Sequence, residues 1–256
     1  MITWWGMASA AMLLVVAAGL SALFQVGVER SILWAGARMA VQLALVGGLL
    51  TLVLAPGRSI WWSWLWVAGM VGYAADVAAR RVPEVPGTRP VALAAFAAAA
   101  TVTLAVLFGL HVFEVAGRSV VPLAGMMVGN SLSSVVLASR RTLEEVRDRR
   151  DEVEARLALG QDWQTASRPC VRAALRSALI PQIETTKATG LVFLPGAMVG
   201  LLLAGVSPQD AVMTQAVVMF LVLAAVAVTS TVVALGVVRR LFTPDQRLVP
   251  IERRPG

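Results

Sequence analysis

Apolar runs close to twenty residues long recur along this chain, separated by short polar segments and by one long charged one. A helix crosses the hydrocarbon core of a bilayer in about 20 residues, so each run predicts a membrane span. Seven are predicted, over residues 5–24, 35–54, 60–77, 91–113, 120–139, 179–204 and 211–238. Stretches such as 91–110 lack the strict alternation of a membrane barrel strand. The expected fold is therefore all-α and polytopic, one transmembrane domain over residues 1–256, with residues 140–178 as a large helical loop within it.

Composition agrees. The chain is 58% hydrophobic and 14% charged, where a soluble domain carries about 25% charged residues. The first basic residue is Arg30, so the opening apolar run lacks the basic start of a signal peptide and is read as a true span. A single cysteine, Cys170, excludes an intrachain disulfide and a zinc framework. The net charge of +7 comes from arginines clustered beside spans. That placement points to topology and anionic membrane lipid, not to nucleic acid.

The arginines also orient the chain. If 140–178 is cytoplasmic, nineteen arginines lie inside: Arg30 and Arg38, three over 80–89, nine in the loop and five in the tail. Only Arg58 and Arg118 lie outside, and Lys187 falls within a span. The bias predicts an outside N-terminus and a cytoplasmic C-terminus in the inner membrane. Trp4, Trp5, Trp61, Trp62, Trp64 and Trp66 then sit near outer span ends, as headgroup anchors. Pro83, Pro86, Gly87 and Pro90 predict a non-helical third connection.

The loop holds nine arginines and seven carboxylates. Over 143–159 they fit helical pairing, Glu145 with Arg149 and Glu152 with Arg156. Leu143, Val146, Val153 and Leu157 form an apolar stripe that Arg150 interrupts. Gly160 suits a helix C-terminus and Asp162 a helix N-cap. Pro169 predicts a break, giving a short helix near 162–167 and a separate segment over 169–178. Leu157, Leu159 and Trp163 are expected exposed at the tip, which calls for a partner; the alternative is a solvated hairpin without one.

Several strings in order resemble one family. They are Gly125-Met126-Met127-Val128-Gly129-Asn130-Ser131, Glu154-Ala155 through Leu159-Gly160, Arg168-Pro169, Ala178-Leu179-Ile180-Pro181, Gly190-Leu191-Val192, Leu194-Pro195-Gly196-Ala197-Met198 and Leu203-Ala204-Gly205. Together, over 120–242, they resemble the FetB-like ABC permeases, iron-export permeases with plant relatives implicated in aluminium tolerance. The resemblance implies a homodimeric permease that works with a separate ATPase, which would bind the ATP and magnesium. It also implies that Glu154, Ala155, Arg156, Leu157, Leu159, Gly160 and Trp163 form the ATPase-coupling site. The chain itself has no Gly-x-x-x-x-Gly-Lys-Ser/Thr loop, so it is not expected to be an enzyme or to bind a cofactor. His111 and Cys170 stand alone, so a transported metal would use carboxylate, amide, thioether or carbonyl groups, and no metal ligands are assigned.

Within the spans, Glu184 and Lys187 are three apart among Thr185, Thr186 and Thr189, with Pro181 and Pro195-Gly196 interrupting the same span. A substrate pathway and a snorkelling structural pair both fit. Asn130, Ser131, Ser133 and Ser134 give the fifth span a polar face, fit for interhelical hydrogen bonds or for lining. Gln42, Arg38 and Gln215 are further lining candidates, and Asp76 pairs with Arg80 at a boundary. Gly125–Gly129 and Gly196–Gly200 share the pattern Gly-x-Met-Val-Gly, which permits close helix approach. Met126, Met127, Met198 and Met213 offer soft sulfur or gap-filling core. An ATP-driven alternating-access permease is the leading reading. An ion-coupled secondary transporter, a membrane enzyme using Asp76, Glu184 or His111, and a scaffold docking a soluble protein are its rivals.

Overall fold

The computed structural model describes residues 4–55, 57–85 and 87–249, so Pro86 lies outside the described residues. These residues form nine α-helices: α1 (Trp4–Leu23), α2 (Glu29–Val53), α3 (Trp61–Arg81), α4 (Thr88–Gly109), α5 (Gly117–Asp148), α6 (Arg150–Ala158), α7 (Trp163–Ala188), α8 (Gly196–Leu203) and α9 (Pro208–Arg240). Four of them, α2, α4, α5 and α9, are long and apolar enough to cross a membrane, and α1 holds a shorter apolar stretch, Ser9–Leu23.

The chain divides into two units, Met1–Arg58 and Ser59–Gly256. In the first, α1 packs on α2. Glycine at position 36 permits this, since a methyl group there would stand 2.5 Å from Leu14 Cδ1. Ser21 Oγ accepts from Val28 N–H at 3.2 Å and braces the connection.

The second unit is organised around α5 and α9, which pack on each other and share α7 as a neighbour, while α4 packs on α9 and α3 on α4 and α5. Sequence periodicity explains the arrangement. Val218, Val222, Ala225, Thr229, Val233 and Val237 of α9 recur at three or four residues and are all buried, one helical face turned inward. Phe96, Met127, Val135 and Val226 fill the centre. Gly236 admits α4, because a Cβ there would collide with Val91 Cγ1.

Four sequence expectations change. The fifth span does not end at the loop: α5 runs on to Asp148, so the span and the start of the 140–178 segment are one helix. The predicted 143–159 helix is kinked at Arg149 (φ −106°, ψ 26°), and Leu143, Val146 and Val153 stay buried across the kink. Pro169 does not break the chain. Both it and Pro181 lie inside α7, which is continuous over 26 residues. An internal proline costs about 3 kcal/mol, and the buried face of Ala166, Ser167, Cys170, Val171, Ala174 and Ala178 offsets it. Finally, the interruption that Pro195-Gly196 predicts in the 179–204 span is wider than a break at that pair. Helix stops at Ala188 and resumes at Gly196. The third connection is non-helical as expected, except that Pro90 falls inside the first turn of α4.

Candidate functional site

The predicted coupling segment is a turn clamped at both ends. Gly160 has φ +84°, the left-handed region that a side chain disfavours. Its N–H donates to Leu157 O at 2.9 Å and Gln161 N–H donates to Arg156 O at 3.1 Å. These are the two bonds of a Schellman closure on α6. Two residues on, Asp162 Oδ1 accepts from Thr165 N–H at 3.2 Å and caps α7. The arginines and carboxylates pair as their spacing requires: Arg149–Glu145 at 3.3 Å, Arg150–Glu154 at 2.7 Å and Arg156–Glu152 at 2.6 Å.

The apolar tip is smaller than the sequence suggests. Leu159 is 81% exposed. Leu157 and Trp163 instead pack against the core. The Trp163 ring lies 5.9 Å from that of Phe242, and the Arg239 guanidinium sits 5.3 Å from its centroid. Aromatic packing and a cation over the ring therefore hold the start of α7 against the end of α9. Glu154 and Ala155 are exposed, and Arg156 is half-buried. Cys170 is buried beneath this turn, and burial pushes its thiol up from the ordinary value.

At the far end of α7, Lys187 Nζ donates to Glu184 Oε1 at 2.9 Å. Both side chains are largely exposed, at 66% and 61%. Thr185, Thr186 and Thr189 each donate to the carbonyl four residues back. Beyond Ala188 the backbone leaves the helix. Gly190 (φ +91°) donates to Phe193 O at 2.9 Å, and α8 buries none of its residues. Leu191 is 95% exposed.

The other predicted lining residues do not share one surface. Asn130 and Ser133 are exposed while Ser131 and Ser134 are buried, so the polar side of α5 is exposed along one edge and packed along the other. Asn130 Nδ2 donates within its own helix to Met126 O at 2.7 Å. Ser131 Oγ and Gln215 Oε1 are buried without a hydrogen-bond partner within the chain, so Ser131 forms no interhelical bond here. Met126 and Met198 are half-buried, and Met213 is exposed. Met127 is fully buried and its sulfur accepts from Thr103 Oγ1 at 3.4 Å. The two Gly-x-Met-Val-Gly segments differ: Gly125 faces Met70 closely, whereas Gly129, Gly196 and Gly200 have open space. Asp76 pairs with Arg80 at 2.7 Å and lies 3.8 Å from Arg89. Among the described residues no cluster of three histidine, cysteine or acidic groups is placed to hold a metal. Trp5, Trp61 and Trp62 are exposed, as anchors would be, but Trp64 turns edge-on to Phe108 at 6.4 Å.

Residue order alone did not reveal a cleft of about 470 Å³ beside the turn, lined by Arg149, Arg156, Thr165, Arg168, Arg172 and Arg176. Its signal is the four-residue spacing of the last three arginines, which becomes meaningful once Pro169 is known to lie inside a helix.

Relatives extend over nearly the whole chain. It is 36% identical over 216 residues to "UPF0014 membrane protein STAR2" of rice, covering 84% of this chain and 75% of the relative. It is 33% identical to "UPF0014 membrane protein YjkA" of Bacillus subtilis, covering 90% and 91%. It is 31% identical to "Probable iron export permease protein FetB" of Escherichia coli, covering 95% and 93%. No solved structure matches the chain. The family model described as "Uncharacterised protein family (UPF0014)" matches residues 4–242, and the chain belongs to that family.

Proposed function

We propose that this chain is the membrane-embedded permease of an ABC transporter, exporting iron or another metal species, and that it acts as a homodimer with two separate ATPase subunits. The observation that carries the reading is the continuity of α7. One helix begins at the clamped, Leu159-tipped turn and ends at the Glu184–Lys187 pair. Twenty-six residues of helix are about 39 Å long, so movement imposed at the turn reaches the interrupted span without an intervening joint. The likeness to a relative named as an iron export permease, over more than nine-tenths of both chains, supports the substrate class.

In this reading α1, α2, α3, α4, α5, the α7–α8 pair and α9 make seven crossings, with the N-terminus outside and 140–178 in the cytoplasm. Leu159 and the exposed edge of α6 meet the ATPase. Closure of the ATPases on ATP and magnesium moves the turn, and α7 reorients the span that follows. Glu184, Lys187 and the thioethers of Met126 and Met198 are the groups offered to the cargo. Asn130, Ser131 and Gln215 supply polar neighbours.

The test is co-purification with an ABC-type ATPase from the same cell. Wild-type chain is expected to bring the ATPase down, and ATP hydrolysis by the complex to rise with a metal substrate. Leu159→Asp and Gly160→Trp are expected to release the ATPase while the permease stays folded. Undiminished capture by both variants would move the contact elsewhere. Transport that collapses with an ion gradient, without any ATPase, would replace the mechanism with secondary transport. Orientation is checked by labelling introduced cysteines from outside sealed cells: Ser59→Cys and Ser207→Cys should react, and Ala155→Cys should not.

A further inference from the structure

The charges of the 140–178 segment fall into two groups. Over 140–156 four of six arginines meet acids: Arg141 with Glu144, Arg149 with Glu145, Arg150 with Glu154 and Arg156 with Glu152, while Arg140 donates to Arg81 O and Arg147 Nε is buried without a partner. On α7 the arginines meet none. Arg168, Arg172 and Arg176 are exposed and make no ion pair among the described residues. No acid occurs in α7 before Glu184. The three arginines are four residues apart, so they share one face and climb it in steps of about 6 Å. Like charges at that spacing disfavour a helix. With Arg149 and Arg156, whose own partners are Glu145 and Glu152, they line a cleft of about 470 Å³.

We propose that this cleft binds a phosphate-bearing anion, and that its source is the headgroup of an anionic phospholipid. Three features select that chemistry. Every cation in the cleft is a guanidinium, whose planar fork pairs two phosphate oxygens at once, whereas a lysine acts as a point charge. The cleft is open and large enough for a headgroup. The stripe ends at Arg176, and the next two turns of that face expose Ile180 and Ile183 before the Glu184–Lys187 pair. A phosphate on Arg176 and Arg172 would therefore have its acyl chains beside Ile180 and Ile183 of the same helix. Basic pockets at the cytoplasmic ends of membrane helices are suited to anionic headgroups. The proposal needs only that the chain resides in a membrane, and it stands or falls independently of the ATPase reading.

The experiment uses the full-length chain in neutral detergent micelles, with binding of phosphatidylglycerol and phosphatidylcholine measured by native mass spectrometry. Phosphatidylglycerol is expected to bind at least tenfold more tightly than phosphatidylcholine. Each basic residue near an anionic headgroup contributes about fivefold. Arg168→Gln/Arg172→Gln/Arg176→Gln should therefore abolish the preference. The control, Arg80→Gln/Arg141→Gln/Arg150→Gln, removes equal charge from acid-paired positions and should retain it. Arg176→Gln should cost more than Arg168→Gln, because Arg176 is nearer Ile180 and Ile183; these single variants also serve if the triple variant fails to fold. Equal loss in both triple variants, or no loss in either, would overturn the proposal. Full displacement of the lipid by millimolar inorganic phosphate would overturn the lipid source. Capture of an acidic protein through these arginines without any lipid preference would assign the cleft to a protein surface and overturn the proposal likewise.

Discussion

The two ends of α7 are built in opposite ways. At the N-terminal end the backbone is closed and the ring packed: Gly160 and Gln161 close α6, Asp162 caps α7, and Trp163 is held by Phe242 and Arg239. At the C-terminal end helix stops at Ala188 and is closed by backbone alone, Thr189 N–H to Thr186 O and Val192 N–H to Ala188 O. The chain is held there by the isolated Thr189–Phe193 bridge, Leu191 is fully out, and α8 buries nothing. One end is fixed to the core by packing and the other is scarcely tied to it. The difference matches the division of labour proposed for them, a firm handle at the turn and an adaptable region at the cargo.

Breaking the firm end should produce the largest effect. Trp163→Ala removes the ring that α9 grips, and is expected to destabilise the unit by about 2–4 kcal/mol. Thermal unfolding in detergent reads the loss, and a change below the error of the melt would show that the handle is not fixed by this contact. Asp162→Ala should cost about 1 kcal/mol through the lost cap, visible as faster hydrogen exchange at Thr165. Gly160→Ala is expected to cost a similar amount, about 1 kcal/mol, because alanine resists φ +84°.

The adaptable end should tolerate change. Glu184→Gln and Lys187→Met each alter an exposed pair, so the coupling in a double-mutant cycle of stability should be about 0.5 kcal/mol or less. Transport should fall in both single variants and stay low in the combined one. Recovery of both stability and transport in the combined variant would make the pair purely structural. Leu191→Ser should change stability least, within about 0.5 kcal/mol. A large loss there would show that the α7–α8 connection is packed as firmly as the turn and would erase the contrast.

Much of this was legible in residue order, because the relevant physics is local. The Glu145–Arg149, Glu152–Arg156, Asp76–Arg80 and Glu184–Lys187 pairs are set by helical spacing, and all four form. Gly160 and Asp162 take the backbone roles that their chemistry suggests. What escaped was decided by packing. A proline reads as a break until the face around it is known to be buried, and so α7 was divided at Pro169. Trp163 reads as exposed because nothing local records that Phe242 lies against its ring. Asn130 and Ser134 are one turn apart and share a face, yet Asn130 is exposed and Ser134 is buried, a difference that packing sets and residue order does not record. The interruption before Gly196 is legible in Pro195-Gly196, but its start at Thr189 is not, because hydropathy alone does not mark where the first helix stops.

An unbroken α7 also sets a gearing. A rod about 39 Å long, pivoting at the turn where Trp163 is gripped, converts a tilt of about 5° into roughly 3 Å of sideways travel at Glu184. That is close to the length of a hydrogen bond. A rotation too small to disturb the packing around Trp163 is therefore enough to make or lose a contact at the other end. Had Pro169 acted as a hinge, the same input would have been absorbed as bending near Cys170, one quarter of the way along.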